Sequence, residues 1–368
     1  MPPHTQSIPV AVVGAAGYTG AELCERLLGH PGARIAGLFG SRGKSGDGSA
    51  FSESFPRFTG VLDHPILEAT PAAIIQSGAR AVFLATPHEA AASLAPALLD
   101  AGCIVLDLSA AFRLGDRTAY PKHYGFDHPA AHLLHSAAYG LADLNGDAIR
   151  AADLIAVPGC YPTSAILATR PLVEAGLADG SAPIIIDSTS GVSGAGRHPS
   201  LKSLFCEVSQ QAYGVLSHRH EPEIIEHAGA EVIFTPHLGP FDRGILSTIH
   251  VSLASGCHES DIRAAWEAAY SHSPFVHTLP AGSWSSVAAV RGTNLCHLSV
   301  MACERRRHAV ITSAIDNLVK GAAGQAIHCF NLRLGLSEVA GLGPMHALAA
   351  AHAPAAVHAT PPLEGSLA

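Results

Sequence analysis

One cysteine stands in a setting that makes sulfur reactive. Val157-Pro158-Gly159-Cys160-Tyr161-Pro162-Thr163 joins an apolar, strand-like run to a helical pattern, and proline at 162 favours the first turn of a helix starting there. Cys160 then falls at a helix N-terminus, where the macrodipole favours the thiolate, the reactive form of the group. Free cysteine more often serves as a small buried hydrophobe. That bland role suits Cys24, Cys103, Cys206, Cys257, Cys296, Cys303 and Cys329, which lie in apolar or helical patterns or in loops without such a setting. A thiol nucleophile also needs an acid–base partner. His218-Arg219-His220-Glu221-Pro222-Glu223 offers two imidazoles with an unperturbed pKa of about 6.5. One residue separates them, so an extended backbone points both the same way. With 23 histidines in the chain, spacing alone does not choose between them.

A second constellation suits a dinucleotide. Gly14-Ala15-Ala16-Gly17-Tyr18-Thr19-Gly20 follows a strand-like run and opens a helical one. Glycines there let the backbone approach a pyrophosphate that meets the helix N-terminus. The spacing is G-x-x-G-x-x-G rather than G-x-G-x-x-G, and a tight turn alone would explain it; its place between strand and helix favours the cofactor. Gly14, Gly17, Thr19 and Gly20 are the candidate contacts, with Tyr18 a neighbour. The second strand-like run ends in Phe39-Gly40-Ser41-Arg42-Gly43-Lys44, with no carboxylate to hold a ribose 2′-hydroxyl. Ser41 and Arg42 instead suit a 2′-phosphate, which guanidinium binds bidentately. NADPH/NADP+ is the cofactor expected.

The elements that must position these groups follow from periodicity. Val10–Val13, Arg34–Phe39, Ala81–Ala85, Ile104–Leu108 and Ile155–Val157 read as buried strands, alternating with helical patterns at Ala21–Leu28 and Glu89–Ala101. That order predicts an α/β, Rossmann-type, doubly wound parallel-sheet domain over residues 1–158. After Gly159 the strand-like runs are Ile184–Asp187, Glu231–Thr235, Ile245–Leu253 and Leu295–Met301, with helices expected at Pro162–Glu174 and Ile262–Tyr270. They predict an α+β catalytic domain over 159–316 with a mixed or antiparallel sheet. Asn317–Leu334 reads as a long helix, within a segment 317–345 that packs back on the first domain. Residues 346–368, Ala, His and Pro, read as a disordered tail.

Bulk properties narrow the partners. A chain of 368 residues with 48% hydrophobic and 14% charged residues is globular and long enough for two domains. A net charge of -8 gives no pull toward nucleic acid or anionic membrane. Met1–Pro9 lacks the order of a signal peptide, and no run reaches the roughly 18 apolar residues of a membrane span. The cysteines form no C-x-x-C pair, which fits a reducing, cytoplasmic setting. No metal is expected: His128 and His132, four apart, have no third ligand.

The blocks GAAGYTGAEL, LSAAFRL, YGLADLN, VPGCYPTSAIL, SGVSGAGRHPSLKSLFCE, HRHEPEI, FTPHLGPFDRGILSTIHV and AIDNLVKGAAGQA lie in this order between residue 14 and about 345. In that order they resemble the N-acetyl-γ-glutamyl-phosphate reductase family; LSAAFR and AIDNLVKGAA also resemble aspartate-semialdehyde dehydrogenases. The resemblance implies a semialdehyde-dehydrogenase-like fold, a homodimer or homotetramer, and a small-molecule acyl phosphate as substrate. It implies NADPH-dependent reduction of N-acetyl-L-glutamyl 5-phosphate to the 5-semialdehyde, in arginine biosynthesis, through a thioester on Cys160. A carboxylate accepts hydride poorly, whereas an acyl phosphate gives up its phosphate to a thiolate and leaves a reducible thioester.

By the same resemblance His220 is the acid–base residue and His218 lines the substrate pocket. Arg113, with Ser109 beside it, binds phosphate; Arg197, Lys202 and Arg243 bind phosphate or the α-carboxylate. Ser193, Gly194 and Asn317 meet the nicotinamide, and Thr86 borders that cleft. Two departures stand out: Leu216-Ser217 precede HRH where glycines are common, and Phe241-Asp242 replace Met or Val followed by Asn. Competing readings are a reductase of a carrier-linked aminoadipyl phosphate or of aspartyl phosphate, and a non-catalytic NADPH sensor. The sensor would have no use for Cys160.

Overall fold

The structure, a computed structural model, describes residues 7–41 and 46–343. Arg42 and the expected tail at 346–368 lie outside the described residues.

The first sheet has seven strands, β1 (Ile8–Val13), β2 (Ala33–Gly40), β3 (Ile66–Glu68), β4 (Ala81–Leu84), β5 (Ile104–Asp107), β6 (Ala138–Tyr139) and β7 (Leu154–Ala156). Their order is β3-β2-β1-β4-β5-β7-β6, and every pairing is parallel. β4 and β5 are buried at each residue, which is why they read as unbroken apolar runs: helices cover both faces. Chain order reverses between β1 and β4, so a crevice opens beyond their C-terminal ends, the usual ligand position in such sheets. The helix Tyr18–Leu28 starts at that crevice.

The second sheet contains β8 (Ile184–Gly191), β9 (Gln211–Ala212), β10 (Val232–Gly239), β11 (Ile245–Ser252), β12 (Val276–Thr278), β13 (Cys296–Cys303) and β14 (His308–Ile315). Its order is β12-β13-β14-β11-β8-β10-β9, with antiparallel pairs at its centre and parallel pairs between β8 and β10 and between β12 and β13. The sheet is mixed, as expected. β11 alternates buried and half-buried residues along its whole length, the mark of a sheet with one covered face. Helix Cys160–Glu174 packs on that face, enclosed in turn by Trp266, whose indole N–H donates to Ala168 O at 3.1 Å, and by Tyr270, whose hydroxyl donates to Leu167 O at 2.7 Å.

Three expectations need correction. The helix after Gly159 begins at Cys160 rather than Pro162, because Gly159 has extended backbone (φ −66°, ψ 156°) and caps it. The segment from Asn317 is not one long helix: a π-helical turn, Val319–Ala323, leads into a helix ending at Arg333. Asp316 caps the start of this segment, its carboxylate accepting the amides of Leu318 and Val319 at 2.9 and 3.1 Å, while the Gly321 amide reaches back five residues to Asp316 O at 2.9 Å. β14 was not anticipated; it returns from β13 through Glu304–Arg307, with Arg307 left-handed at φ 45°. The final helix packs against the first sheet, where Ile327 and Phe330 share a core with Val10, Val12 and Phe83. Among the described residues no helix is long and apolar enough to cross a membrane.

Candidate active site

The Gly-rich turn divides into two jobs. Gly14 has φ +87°, and a Cβ there would sit 2.1 Å from Ala85 O. Its lack of a side chain lets β1 and β4 approach; it does not line the crevice. Gly17, Tyr18, Thr19 and Gly20 do line it, in a cavity of about 330 Å³. Gly17 is the N-cap of an 11-residue helix, so first-turn amides face the space without intrahelical partners. Thr86 lines the same cavity, and its Oγ1 is buried without a partner. Bare glycine backbone, free amides and an orphaned hydroxyl fit a dinucleotide's phosphates. At the far wall Asn317 accepts the Gly244 amide at 2.6 Å and donates to Ser193 Oγ at 3.0 Å. Ser193, Gly194 and Asn317 all face the cavity. Ser41 is exposed at the end of β2 and is not among the lining residues.

Cys160 stands where this cavity meets another. A second space of about 600 Å³ is lined by His218, Lys202, Tyr213, Ser190, Gln211 and Leu238, among others. The two share Cys160, Gly194, Arg219 and His220. Glycine at 159 is required by its neighbours: a Cβ would lie 2.6 Å from His220 Nε2 and 2.9 Å from Arg113 Nη1. Imidazole and guanidinium therefore converge on the backbone just before the sulfur.

Burial and the helix end pull the Cys160 thiol in opposite directions. Burial pushes the Cys160 thiol up, and the Tyr161 amide and Arg113 only partly offset it. Burial, with His218, Arg113 and Arg219 nearby, pushes His220 well down. The helix end is real, but desolvation outweighs it. Both shifts favour the uncharged forms, a thiol and a neutral imidazole, and His220 Nδ1 is buried without a partner.

Arg113 is nearly enclosed. Nε donates to Val157 O and Nη2 to Leu108 O, both at 2.8 Å, while Nη1 reaches Glu223 at 3.2 Å. Three of the five N–H groups are used there, leaving capacity toward the cavity. Ser109 donates to Asp107 at 3.0 Å and receives the Ala111 amide at 3.1 Å; it shapes this wall as well as lining it. Asp107 is pushed up to about 6 by burial, against the pull of Ser109.

Two other cations are committed elsewhere. Arg243 lines neither cavity; it pairs with Asp316 at 2.8 Å and Glu22 at 3.1 Å. Two nearly enclosed carboxylates hold it, and through Glu22 and Asp316 it bridges the two halves. Arg197 borders the dinucleotide cavity but donates to Ala16 O at 3.0 Å and Ser54 O at 2.8 Å, stacked 4.3 Å over Phe55. Lys202 lines the second cavity, with its ammonium 5.2 Å from the Tyr213 ring.

The sequence reading missed Glu223, which is fully buried. It accepts the Gly159 amide at 2.9 Å, the Tyr139 hydroxyl at 2.9 Å and Arg113. The available signal was its place three residues after His220, one helical turn on. Gly321 was also missed. A Cβ there would be 2.8 Å from Cys160 Cβ.

Comparison with known proteins matches these parts in order. Residues 9–152 match the family model described as "Semialdehyde dehydrogenase, NAD binding domain", and residues 160–317 that described as "Semialdehyde dehydrogenase, dimerisation domain". The N-acetyl-gamma-glutamyl-phosphate reductase of Escherichia coli O157:H7 is 46% identical over 331 residues, covering 90% of this chain and 98% of that protein. That of Tolumonas auensis is 45% identical over 335 residues, covering 90% and 99%. Among solved structures, aspartate semialdehyde dehydrogenase II of Vibrio cholerae superposes with a TM-score of 0.67 at 17% identity, covering 90% of this chain and 99% of that one. The Candida albicans aspartate semialdehyde dehydrogenase with NADP gives 0.65 at 15%, covering 89% and 98%. The structural likeness carries the fold and the near-complete sequence match carries more: this chain belongs to the N-acetyl-γ-glutamyl-phosphate reductase family, oxidoreductases built on the semialdehyde dehydrogenase fold.

Proposed function

We propose that this chain reduces N-acetyl-L-glutamyl 5-phosphate to N-acetyl-L-glutamate 5-semialdehyde and phosphate, a step of arginine biosynthesis, through a thioester on Cys160. The observation that carries the reading is the sulfur's place at the seam of two cavities. One suits a dinucleotide; the other suits an acyl chain with polar ends.

Cys160 attacks the acyl carbon as its S–H proton passes to His220, which burial keeps neutral and whose Nδ1 has no partner. Carbon–oxygen cleavage then releases phosphate, with Arg113 as the nearby cation. The acyl group is left on sulfur, facing the dinucleotide cavity. A bound nicotinamide supplies hydride there. His220 returns its proton to the carbonyl oxygen as that oxygen gains charge, and collapse of the adduct frees aldehyde and thiol. Lys202 and His218 hold the polar end of the substrate in the second cavity.

The family is a nicotinamide-dinucleotide one; we take NADPH as the form used, on the absence of a carboxylate at the end of β2. On this reading residues 1–158, with the returning C-terminal helix, hold the cofactor, and 159–316 carry catalysis and self-association. The dimerisation-domain match supports a homodimer or homotetramer. The cysteines are all free, which suits a cytoplasmic enzyme.

The test is the reverse assay, with N-acetylglutamate semialdehyde, phosphate and NADP⁺. Wild type should sustain NADPH formation beyond a single turnover only when phosphate is present, and Cys160→Ser should form none. Parallel arms with aspartate semialdehyde and a carrier-linked aminoadipate semialdehyde should be slower; a faster arm would replace the proposed substrate.

A further inference from the structure

Lys320 and Asp143 form an ion pair with both side chains wholly enclosed, Nζ to Oδ2 at 2.5 Å. Ser273 donates to the other carboxylate oxygen at 2.7 Å, and the Phe275 ring lies 5.1 Å from the ammonium. Burial alone would raise the Asp143 carboxyl; Lys320 overrides it and holds the group down at about 2. Such a pair is a poor device for stability, because apolar residues of similar volume are often as good or better. What it supplies is a fixed position.

The position matters because of where Lys320 sits. It belongs to the π-helical turn Val319–Ala323, and π-turns are rare in a regular helix. The opposite side of the same turn meets the active site. Leu318 and Gly321 line the dinucleotide cavity beside Asn317. Gly321 lies so close to Cys160 that a Cβ would be 2.8 Å from Cys160 Cβ and 3.1 Å from its Cα. The turn thus rests on Cys160 on one side and is tied to Asp143 on the other. Asp143 belongs to helix Ala142–Ala151, which follows β6 of the first sheet.

We propose that Lys320 and Asp143 are positioning residues for the reduction step: their ion pair fixes the wall formed by Asn317, Leu318 and Gly321 relative to Cys160. It thereby sets the distance between the nicotinamide and the acyl carbon on sulfur. This rests on the thioester reading above. The pair touches neither substrate nor cofactor, so loosening it should slow hydride transfer while leaving attack by the sulfur intact.

The experiment compares wild type with Lys320→Arg and with the paired substitution Lys320→Met/Asp143→Leu, which leaves no lone buried charge. Each is assayed in the reverse direction with semialdehyde carrying hydrogen or deuterium on the aldehyde carbon. Melting temperature and the rate of Cys160 alkylation by iodoacetamide are measured alongside. The paired variant should melt near wild type and alkylate within about twofold of it, and KM for the semialdehyde should move little. Its kcat should fall by about tenfold to a hundredfold, the scale of a misplacement of up to 1 Å, with a larger isotope effect. Lys320→Arg, which keeps the charge, should recover part of the loss. Wild-type kcat and isotope effect in the paired variant would overturn the proposal, as would a kcat loss matched by equal losses in melting temperature and alkylation. Wild type without phosphate-dependent NADPH formation would instead overturn the thioester reading.

Discussion

One methyl group added at Gly159 should separate catalysis from folding. The backbone there has φ −66° and ψ 156°, a region alanine adopts freely. Substitution should therefore carry no conformational strain, and losing glycine's freedom in the unfolded chain is worth about 0.4–1 kcal/mol in favour of the fold. Crowding opposes this by about 1–3 kcal/mol. The new Cβ would stand 2.6 Å from His220 Nε2 and 2.9 Å from Arg113 Nη1, whereas heavy atoms rest at about 3.5 Å. The imidazole must retreat by roughly 0.9 Å and the guanidinium by roughly 0.6 Å. Arg113 is bound to Val157 O, Leu108 O and Glu223, so the imidazole gives way first. A misplacement near 1 Å costs about a hundredfold in rate, or about 2.7 kcal/mol of barrier. Gly159→Ala should thus lower kcat/KM in the reverse assay by about a hundredfold, while urea unfolding shows a folded enzyme destabilised by no more than about 2.6 kcal/mol, the balance of the two effects. A folded Gly159→Ala enzyme with wild-type kcat/KM would refute the placement of His220 beside the nucleophile.

Alkylation of Cys160 in the empty enzyme should accelerate with pH and reach its midpoint above that of an exposed cysteine, because burial raises the thiol; a midpoint below neutrality in iodoacetamide kinetics would contradict the thiol–imidazole resting state. Arg243→Ala leaves Asp316 and Glu22 without their shared cation; it should cost about 3–5 kcal/mol in urea unfolding, and any surviving folded fraction should keep the wild-type KM for phosphate. Arg113→Lys should raise KM for phosphate by about tenfold or more, because the planar fork is lost, with a smaller change in KM for the semialdehyde. A phosphate KM that does not move would remove Arg113 from phosphate binding.

What could be read in the sequence was local. The Gly-rich turn and the Gly-Cys-Tyr-Pro turn each declare their geometry within seven residues, and β4 and β5 announce burial by continuous apolar character. Long-range partners were not legible. Nothing near Arg243 in sequence tells that Asp316 and Glu22 will hold it, and the fate of Glu223 depends on Gly159, 64 residues away. The pull of burial on the Cys160 thiol was hidden for the same reason. A helix end can be seen locally, whereas the burial that outweighs it is a property of the assembled cavity. The π-turn was hidden too, because Ala-rich sequence favours regular helix and nothing local marks the five-residue backbone bonds formed there.

The most direct measurement omits phosphate. With N-acetylglutamate semialdehyde and NADP⁺ alone, hydride leaves the adduct on Cys160 and the acyl group has no acceptor. The account predicts a burst of one NADPH per active chain, and a peptide containing Cys160 that carries the N-acetylglutamyl group by mass spectrometry; adding phosphate should clear the modification and start turnover. Steady NADPH formation without phosphate, or a burst that leaves Cys160 unmodified, would contradict it.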